Sequence, residues 1–533
     1  MPQIQNPILP GFNPDPSICR RGKDYYIATS TFEWFPGVQI HHSRDLVHWR
    51  LLSRPLDRVS QLDLRGVQES GGIWAPCLSW AHDRFWLIYT NVLHMGTFKE
   101  THNYLVTAPE ITGPWSEPVF LNSSGFDPSL FHDDDGRQWL LNMRWDHRPG
   151  RDRFNGILLQ EYDHAQKSPV GPVSHIFAGS GLGCTEGPHL YRREGWYYLM
   201  TAEGGTGHHH AVTMARSKSI TGPYEVDPLT PMLTSKDRDE LALQKAGHAS
   251  LVEAGDGTWW MPHLCGRPVT RTDTRRCILG RETALQQVEW TDDGWLRLVG
   301  GGRDPRTTWP APDLPPAPWP EPPASITFSP PSLPLDFQTL RVPADPSWLS
   351  LEERPGWLRL RGRESLISTH RQSLVGRRIQ HLNLSVETRL DFTPDTYQQM
   401  AGLLANYDTR NWYYLRVTAD EKLGRVLGLA LYDNGRYDEP RDWQVSLPSG
   451  PVRLGFDLEG NRIQFRWRQG GDSWSPIGPA LDSTRLSDEY GGGLRFSGAF
   501  ASLACQDLSG RMHPADFEGF TYRVNGETQN RPY

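Results

Sequence analysis

No stretch of the 533-residue chain is apolar for long enough to cross a membrane. Its opening, Met1-Pro2-Gln3-Ile4-Gln5-Asn6-Pro7, has neither the basic region nor the apolar core of a secretion signal. Basic blocks are missing too: 62 acidic residues face 55 basic ones, a formal net charge of −7, which gives nucleic acid no handle. Cysteine is scarce. Cys19, Cys77, Cys184, Cys265, Cys277 and Cys505 are scattered with no CxxC pair, so they read as buried free thiols rather than a disulfide frame or zinc site. Helical periodicity is also wanting. These absences leave a cytoplasmic protein with no nucleic-acid or membrane partner as the expectation, and the length calls for more than one domain.

The chain is rich in aromatics, with 21 Trp, 18 Tyr and 19 Phe, and in turn formers, with 51 Gly and 44 Pro. Much of that aromatic content recurs in register. Tyr25-Tyr26-Ile27, Trp86-Leu87-Ile88, Trp139-Leu140-Leu141, Trp196-Tyr197-Tyr198 and Trp259-Trp260-Met261 start 61, 53, 57 and 63 residues apart. Each follows a short polar turn, such as Asp134-Asp135-Gly136 or Arg193-Glu194-Gly195, and a further short strand precedes each turn. Five units of about four strands predict a five-bladed β-propeller over residues 1–308.

Twelve of the thirty residues 305–334 are proline. That segment predicts an extended linker over 309–334, unable to join a sheet ladder. Beyond it, alternating strands such as Trp357-Leu358-Arg359-Leu360-Arg361 and Trp412-Tyr413-Tyr414-Leu415-Arg416-Val417 predict an antiparallel β-sandwich over 335–533. The fold class is all-β.

Aligned on the aromatic strands, the first strands begin at Asp15, Ala75, Asp127, Glu186 and His248, which lie 10, 11, 12, 10 and 11 residues upstream. If the first strand of each blade is innermost, these five positions ring the central channel. Three carry carboxylic acids, each set before Pro or Gly-Pro, which steadies the backbone. Converging carboxylates repel, so one keeps its proton near neutrality, and a protonated acid beside an ionised base is what glycosidic hydrolysis needs. His248 reads as a cation ligand, a hydrogen-bond donor or a packed ring. In His208-His209-His210, three consecutive residues cannot all face one ion.

Several longer motifs carry a likeness to a known family. Asn6-Pro7-Ile8-Leu9-Pro10-Gly11-Phe12-Asn13-Pro14-Asp15-Pro16-Ser17, Ser30-Thr31-Phe32-Glu33-Trp34-Phe35-Pro36-Gly37-Val38, Gly72-Ile73-Trp74-Ala75-Pro76, Glu186-Gly187-Pro188 and Glu203-Gly204-Gly205-Thr206 resemble the β-xylosidases of glycoside hydrolase family 43. Gly498-Ala499-Phe500 and Ala504-Cys505-Gln506-Asp507 resemble the accessory sandwich of its two-domain group. The resemblance implies an inverting enzyme in which Asp15 is the general base, Glu186 the general acid, and Asp127 the carboxylate that orients the acid and raises its pKa. It also implies substrate-binding roles for Phe32, Trp74, Thr206 and Arg281. Phe500 would be lent to the pocket by the sandwich, and His248 would help hold calcium or another divalent ion, none being required for the chemistry. The expected activity is removal of terminal xylose from β-1,4-xylo-oligosaccharides by a homo-oligomer. α-L-Arabinofuranosidase activity is the near alternative and a non-catalytic sugar-binding propeller the remote one.

Overall fold

Tight polar turns leave consecutive short strands no choice but to pair as antiparallel neighbours, and five such sheets form in sequence. The computed structural model describes residues 2–269, 275–329, 332–471, 473–493 and 495–526, so the outer ends of both expected domains fall outside it. Blade I comprises Ser17–Arg21, Asp24–Thr29, Gln39–Ser43 and Arg50–Ser53. Blade II runs from Gly72–Ala81 to Val119–Asn122, and blade III from Ser129–His132 to Ser168–Phe177. Blade IV runs from Glu186–Arg193 to Glu225–Val226, and blade V from Gln244–Ala249 to Leu296–Leu298. Each expected aromatic strand is the second of its blade.

The first strand of each blade lies at the edge of its sheet. Side chains tie these edges together: the Leu78 N–H donates to Ser17 Oγ at 3.0 Å and the Ile18 N–H to Ser250 Oγ at 3.0 Å. The ring closes through the N-terminal segment. Gln3–Gln5 pairs with Thr308–Pro310, Leu9 bridges Thr283, and the Asn13 N–H donates to the Arg281 carbonyl at 2.9 Å. That closure sets Asp15 beside Arg281 although 266 residues separate them.

The proline-rich segment is not wholly outside the sheets, contrary to expectation. Thr308–Pro310 carries a ladder because Pro310 faces Gln3 at a position whose N–H the ladder does not use, the next bond being that of the Ala311 N–H to the Pro2 carbonyl at 3.0 Å, and Ser325–Ile326, free of proline, pairs with Phe520 and Thr521 of the sandwich. Between them Trp319 docks on blade I, with its Nε1 donating to the His48 carbonyl at 3.2 Å and the Arg50 guanidinium 3.8 Å above its ring.

The sandwich consists of two nine-stranded antiparallel sheets. Leu403, Leu415, Val417 and Leu503 from one sheet meet Val386, Leu454, Phe456 and Phe517 from the other in its core. Alternation sends Trp412, Tyr414, Leu404 and Ala504 to the opposite face, where they cluster with the propeller residues Phe12, Phe32, Trp34 and Trp74. The propeller even supplies a strand: Trp34–Phe35 pairs with Thr339–Leu340. All six cysteines are free, five buried and Cys184 half-buried.

Candidate active site

The five repeat positions share an unusual backbone as well as a place in the ring. Asp15, Ala75, Asp127 and His248 adopt positive φ of 56, 32, 54 and 46°. In blade IV the kink moves one residue on, to Gly187 at 56°. Non-glycine residues there cost about 1–3 kcal/mol each and persist only where the surroundings over-determine them. The kink turns the side chains at the strand starts into one cluster, in which Asp15, Asp127, Glu186 and His248 are 5, 7, 9 and 6 % exposed.

Asp15 is held from three sides. Ser30 Oγ donates to its Oδ2 at 2.7 Å while accepting the Ala75 N–H at 2.7 Å. Arg281 Nη1 lies 3.3 Å from Oδ1, and His248 Nδ1 lies 3.9 Å from the same oxygen. Burial alone would raise this carboxyl, but Arg281, His248 and the Ser30 hydroxyl outweigh it and hold Asp15 below the ordinary carboxylate range.

Glu186 is treated in the opposite way. Burial, then the charge of Asp15, push it up to about 8 against the opposing pull of Arg281 and Lys99. Asp127 accepts the Gly187 N–H at 3.1 Å and lies 4.0 Å from His248. It too is raised, by burial and then by Glu186 and Asp15, so Asp127 and Glu186 titrate as a pair that retains a proton near neutrality. Two carboxyls are driven toward protonation while a third is kept ionised.

Aromatic rings wall this cluster. Phe32 and Trp74 lie 6.2 Å apart, Phe126 stands edge-on to Trp74 at 5.2 Å, and the Trp74 Nε1 donates to the Ser70 carbonyl at 2.8 Å. Arg281 lies against the Phe32 ring at 5.3 Å and donates from Nη1 to Thr206 Oγ1 at 2.9 Å, which brings Thr206 to the rim.

Phe500 does not line this wall. It is fully buried, flat on Trp34 at 3.7 Å, one layer behind. As the first residue of its strand, Phe500 pairs with Asn406 and Arg378 within the sheet, so its ring packs into the domain interface. The sandwich contributes Phe496 instead. Its ring meets Trp74 edge-on at 5.5 Å and Phe32 at 6.0 Å, while its carbonyl accepts from Arg281 Nε and Nη2 at 3.3 and 3.2 Å. Lys99 was also unforeseen. It sits 5.5 Å over Trp74 and 4.6 Å over Trp145. A loop residue without periodic neighbours leaves no signal, although Gly491-Gly492-Gly493 ahead of Phe496 marks a loop end.

Of the three consecutive histidines only His210 is fully buried. Its Nδ1 lies 3.0 Å from the Lys245 carbonyl, and burial, with His248 adding, pushes the imidazole down to about 3. His209 is exposed and His208 half-buried. Among the described residues, no three His, Cys, Asp or Glu side chains converge to hold a metal ion. Calcium takes about six to eight oxygen ligands, and Arg281 already occupies the place beside Asp15, so the residues around His248 do not themselves form a cation cage.

A closed ring of five antiparallel blades, a buried carboxyl driven toward protonation beside one kept ionised, and aromatic walls around them are the features of a two-domain glycoside hydrolase. The chain belongs to glycosyl hydrolases family 43, whose model matches residues 4–296, and residues 325–523 match the β-xylosidase C-terminal concanavalin A-like domain. It is 50 % identical to a xylosidase/arabinosidase 43B of Humicola insolens, over 98 % of both chains. It is 49 % identical to a β-xylosidase of Bacillus subtilis, over 98 % of this chain and 99 % of the relative. The crystal structure of a xylan β-1,4-xylosidase from Bacillus halodurans superposes with a TM-score of 0.96 at 55 % identity, covering 98 % of this chain and 100 % of that one.

Proposed function

We propose that the protein is an exo-acting, inverting β-1,4-xylosidase that removes xylose from the non-reducing ends of xylo-oligosaccharides. The observation that carries this reading is the opposite treatment of two buried carboxyls, Asp15 held down and Glu186 held up at about 8. Glu186 gives its proton to the glycosidic oxygen as the bond to the anomeric carbon breaks. Asp15 takes a proton from the water that attacks that carbon from the opposite face. Arg281 and Ser30 fix the Asp15 carboxylate on that water, and Asp127 keeps Glu186 supplied with its proton and oriented. His248, its protonated form disfavoured by burial despite Asp15, stands between the two aspartates.

Closure of the wall by Phe496, from a second domain, supports attack on chain ends rather than on mid-chain bonds. α-L-Arabinofuranosidase activity is the second reading, favoured by the likeness to a xylosidase/arabinosidase. Proton NMR of the first product from a β-xyloside tests the mechanism, with α-xylose expected before mutarotation. Initial β-xylose overturns the assignment of Asp15 as base. Rates on matched aryl xylosides and aryl arabinofuranosides decide the sugar, and a higher kcat/KM on the arabinofuranoside reverses the order of the two readings.

A further inference from the structure

A cleft of about 260 Å³ opens where the N-terminal segment, blade I, the proline-rich segment and the sandwich meet. Its charges are one-sided. Arg50, Arg54, Arg377 and Arg378 line it, and the only carboxylate among its lining residues is Asp336. Arg54, Arg377 and Arg378 are 9, 7 and 4 % exposed, so three guanidiniums are buried together. Asp336 approaches Arg377 at 3.5 Å and is itself 38 % exposed.

The other partners are neutral. Arg54 donates from Nε and Nη2 to Gln39 Oε1 at 3.2 and 2.7 Å, and from Nη1 to the carbonyls of Leu335 and Phe337. Arg378 donates from Nε to the Phe12 carbonyl at 2.8 Å and from Nη1 to Gln338. Arg378 Nη2, Arg377 Nε and His41 Nδ1 are buried and have no hydrogen-bond partner. Buried cations ordinarily come with counter-charges, and buried donors with acceptors. The strain on the charges is evident: burial pushes Arg54 down to about 9, and burial together with Arg54 holds Arg378 well below its usual range.

We propose that this cleft is a binding site for a phosphoryl dianion, held by Arg54, Arg377 and Arg378 with Arg50 at the mouth. A dianion offsets more of the excess positive charge than a carboxylate can. Its tetrahedral oxygens also suit several guanidinium forks at once. The cleft is larger than a bare phosphate, and its mouth presents Trp319 with Arg50 packed on it at 3.8 Å, so a phosphorylated sugar fits as well as free phosphate. Such an anion bridges the domains, because Arg54 belongs to the propeller and Arg377 and Arg378 to the sandwich. Arg378 also holds the carbonyl of Phe12, three residues before Asp15, and lies 5.3 Å from the Phe500 ring. The site therefore acts on domain docking and not on the hydrolytic step itself.

Calorimetric titration and thermal unfolding of the full chain, with inorganic phosphate and with a pentose 5-phosphate at constant ionic strength, test this. The expected result is a single-site heat, and a melting midpoint several degrees above a matched chloride control once the anion reaches about 100 Kd. Arg54→Gln and Arg377→Gln should each weaken binding about tenfold or more while xylobiose hydrolysis without added anion stays near that of the parent. If either variant fails to fold, Arg50→Gln at the exposed mouth replaces it, and must weaken binding several-fold. Tighter binding of the ester identifies a sugar phosphate as the ligand, and equal binding identifies free phosphate. Absence of any heat or midpoint shift beyond chloride in the parent protein overturns the site, as does unchanged affinity in the arginine variants.

Discussion

Trp34 of the propeller lies flat on Phe500 of the sandwich, ring centroids 3.7 Å apart and planes 12° from parallel. Both rings are essentially without solvent exposure, and the strand that carries Trp34 is itself a member of the sandwich sheet. Phe500→Ala should therefore act on stability, by about 3–5 kcal/mol, because the rigid interface cannot close the void. Phe496→Ala should do the reverse. Truncating a wall aromatic removes contact worth on the order of 1 kcal/mol, so kcat/KM for xylobiose should fall several-fold with little change in melting temperature. Calorimetry and kinetics on both variants check the pair, and a large kinetic loss in Phe500→Ala with an unchanged melting temperature would reverse the two roles.

Replacing the acid separates substrates by leaving group. Glu186→Ala should lower kcat/KM for xylobiose by about 10²–10⁴-fold, the usual worth of a general acid. An aryl xyloside with an acidic phenol needs no proton to depart and should suffer far less. Equal losses on both substrates would remove Glu186 from that role.

The pH profile follows from the same two groups. Glu186 must be protonated, so kcat/KM should fall as pH rises through about 8. Asp15 must be ionised, and its lowered pKa places the acid limb below the ordinary carboxylate range. Arg281→Met removes the main cation beside Asp15. The carboxyl then rises, and the acid limb of the kcat/KM profile should move to higher pH while KM also increases, since Arg281 touches Thr206 and the Phe496 carbonyl. An acid limb that stays put in this variant would mean that Arg281 binds substrate without tuning the base.

Lys245 offers a test of the domain contact itself. Its ammonium, buried in blade V, pairs with Asp488 at 3.0 Å and with Glu489, and Asp488 accepts from the Tyr407 hydroxyl, which in turn accepts the Ser497 N–H. Lys245→Met leaves the buried Asp488 and the half-buried Glu489 without their cation, a change that costs about 3–5 kcal/mol in comparable buried pairs. Without the cation the carboxyls bind protons more readily, so the deficit relative to the parent should shrink as pH falls. Chemical denaturation at pH 5 and pH 8 measures it, and a pH-independent deficit would contradict the assignment. Because Ser497 follows Phe496, KM for xylobiose should rise in the same variant.

Local sequence determined much of this protein. Polar turns between aromatic strands suffice to make hairpins, and a repeat near sixty residues obliges the hairpins to stack as blades. Register then carries Asp15, Asp127, Glu186 and His248 to equivalent strand starts, which is why the carboxylate cluster is legible in the sequence. The proline-rich segment was legible as a boundary, though not its short ladders, because edge pairing needs only a few free N–H groups and a neighbour brought from elsewhere.

What only the tertiary structure decided are contacts between segments hundreds of residues apart. Whether Phe496 or Phe500 reaches the wall depends on which face of a sheet meets the propeller, and a shift of a few residues exchanges wall for interface. Lys99, the full burial of His210, the Lys245–Asp488 pair and the arginine-lined cleft have the same origin. Burial and the charges that burial assembles set the protonation of Asp15 and Glu186, and sequence spacing along one strand carries no record of either.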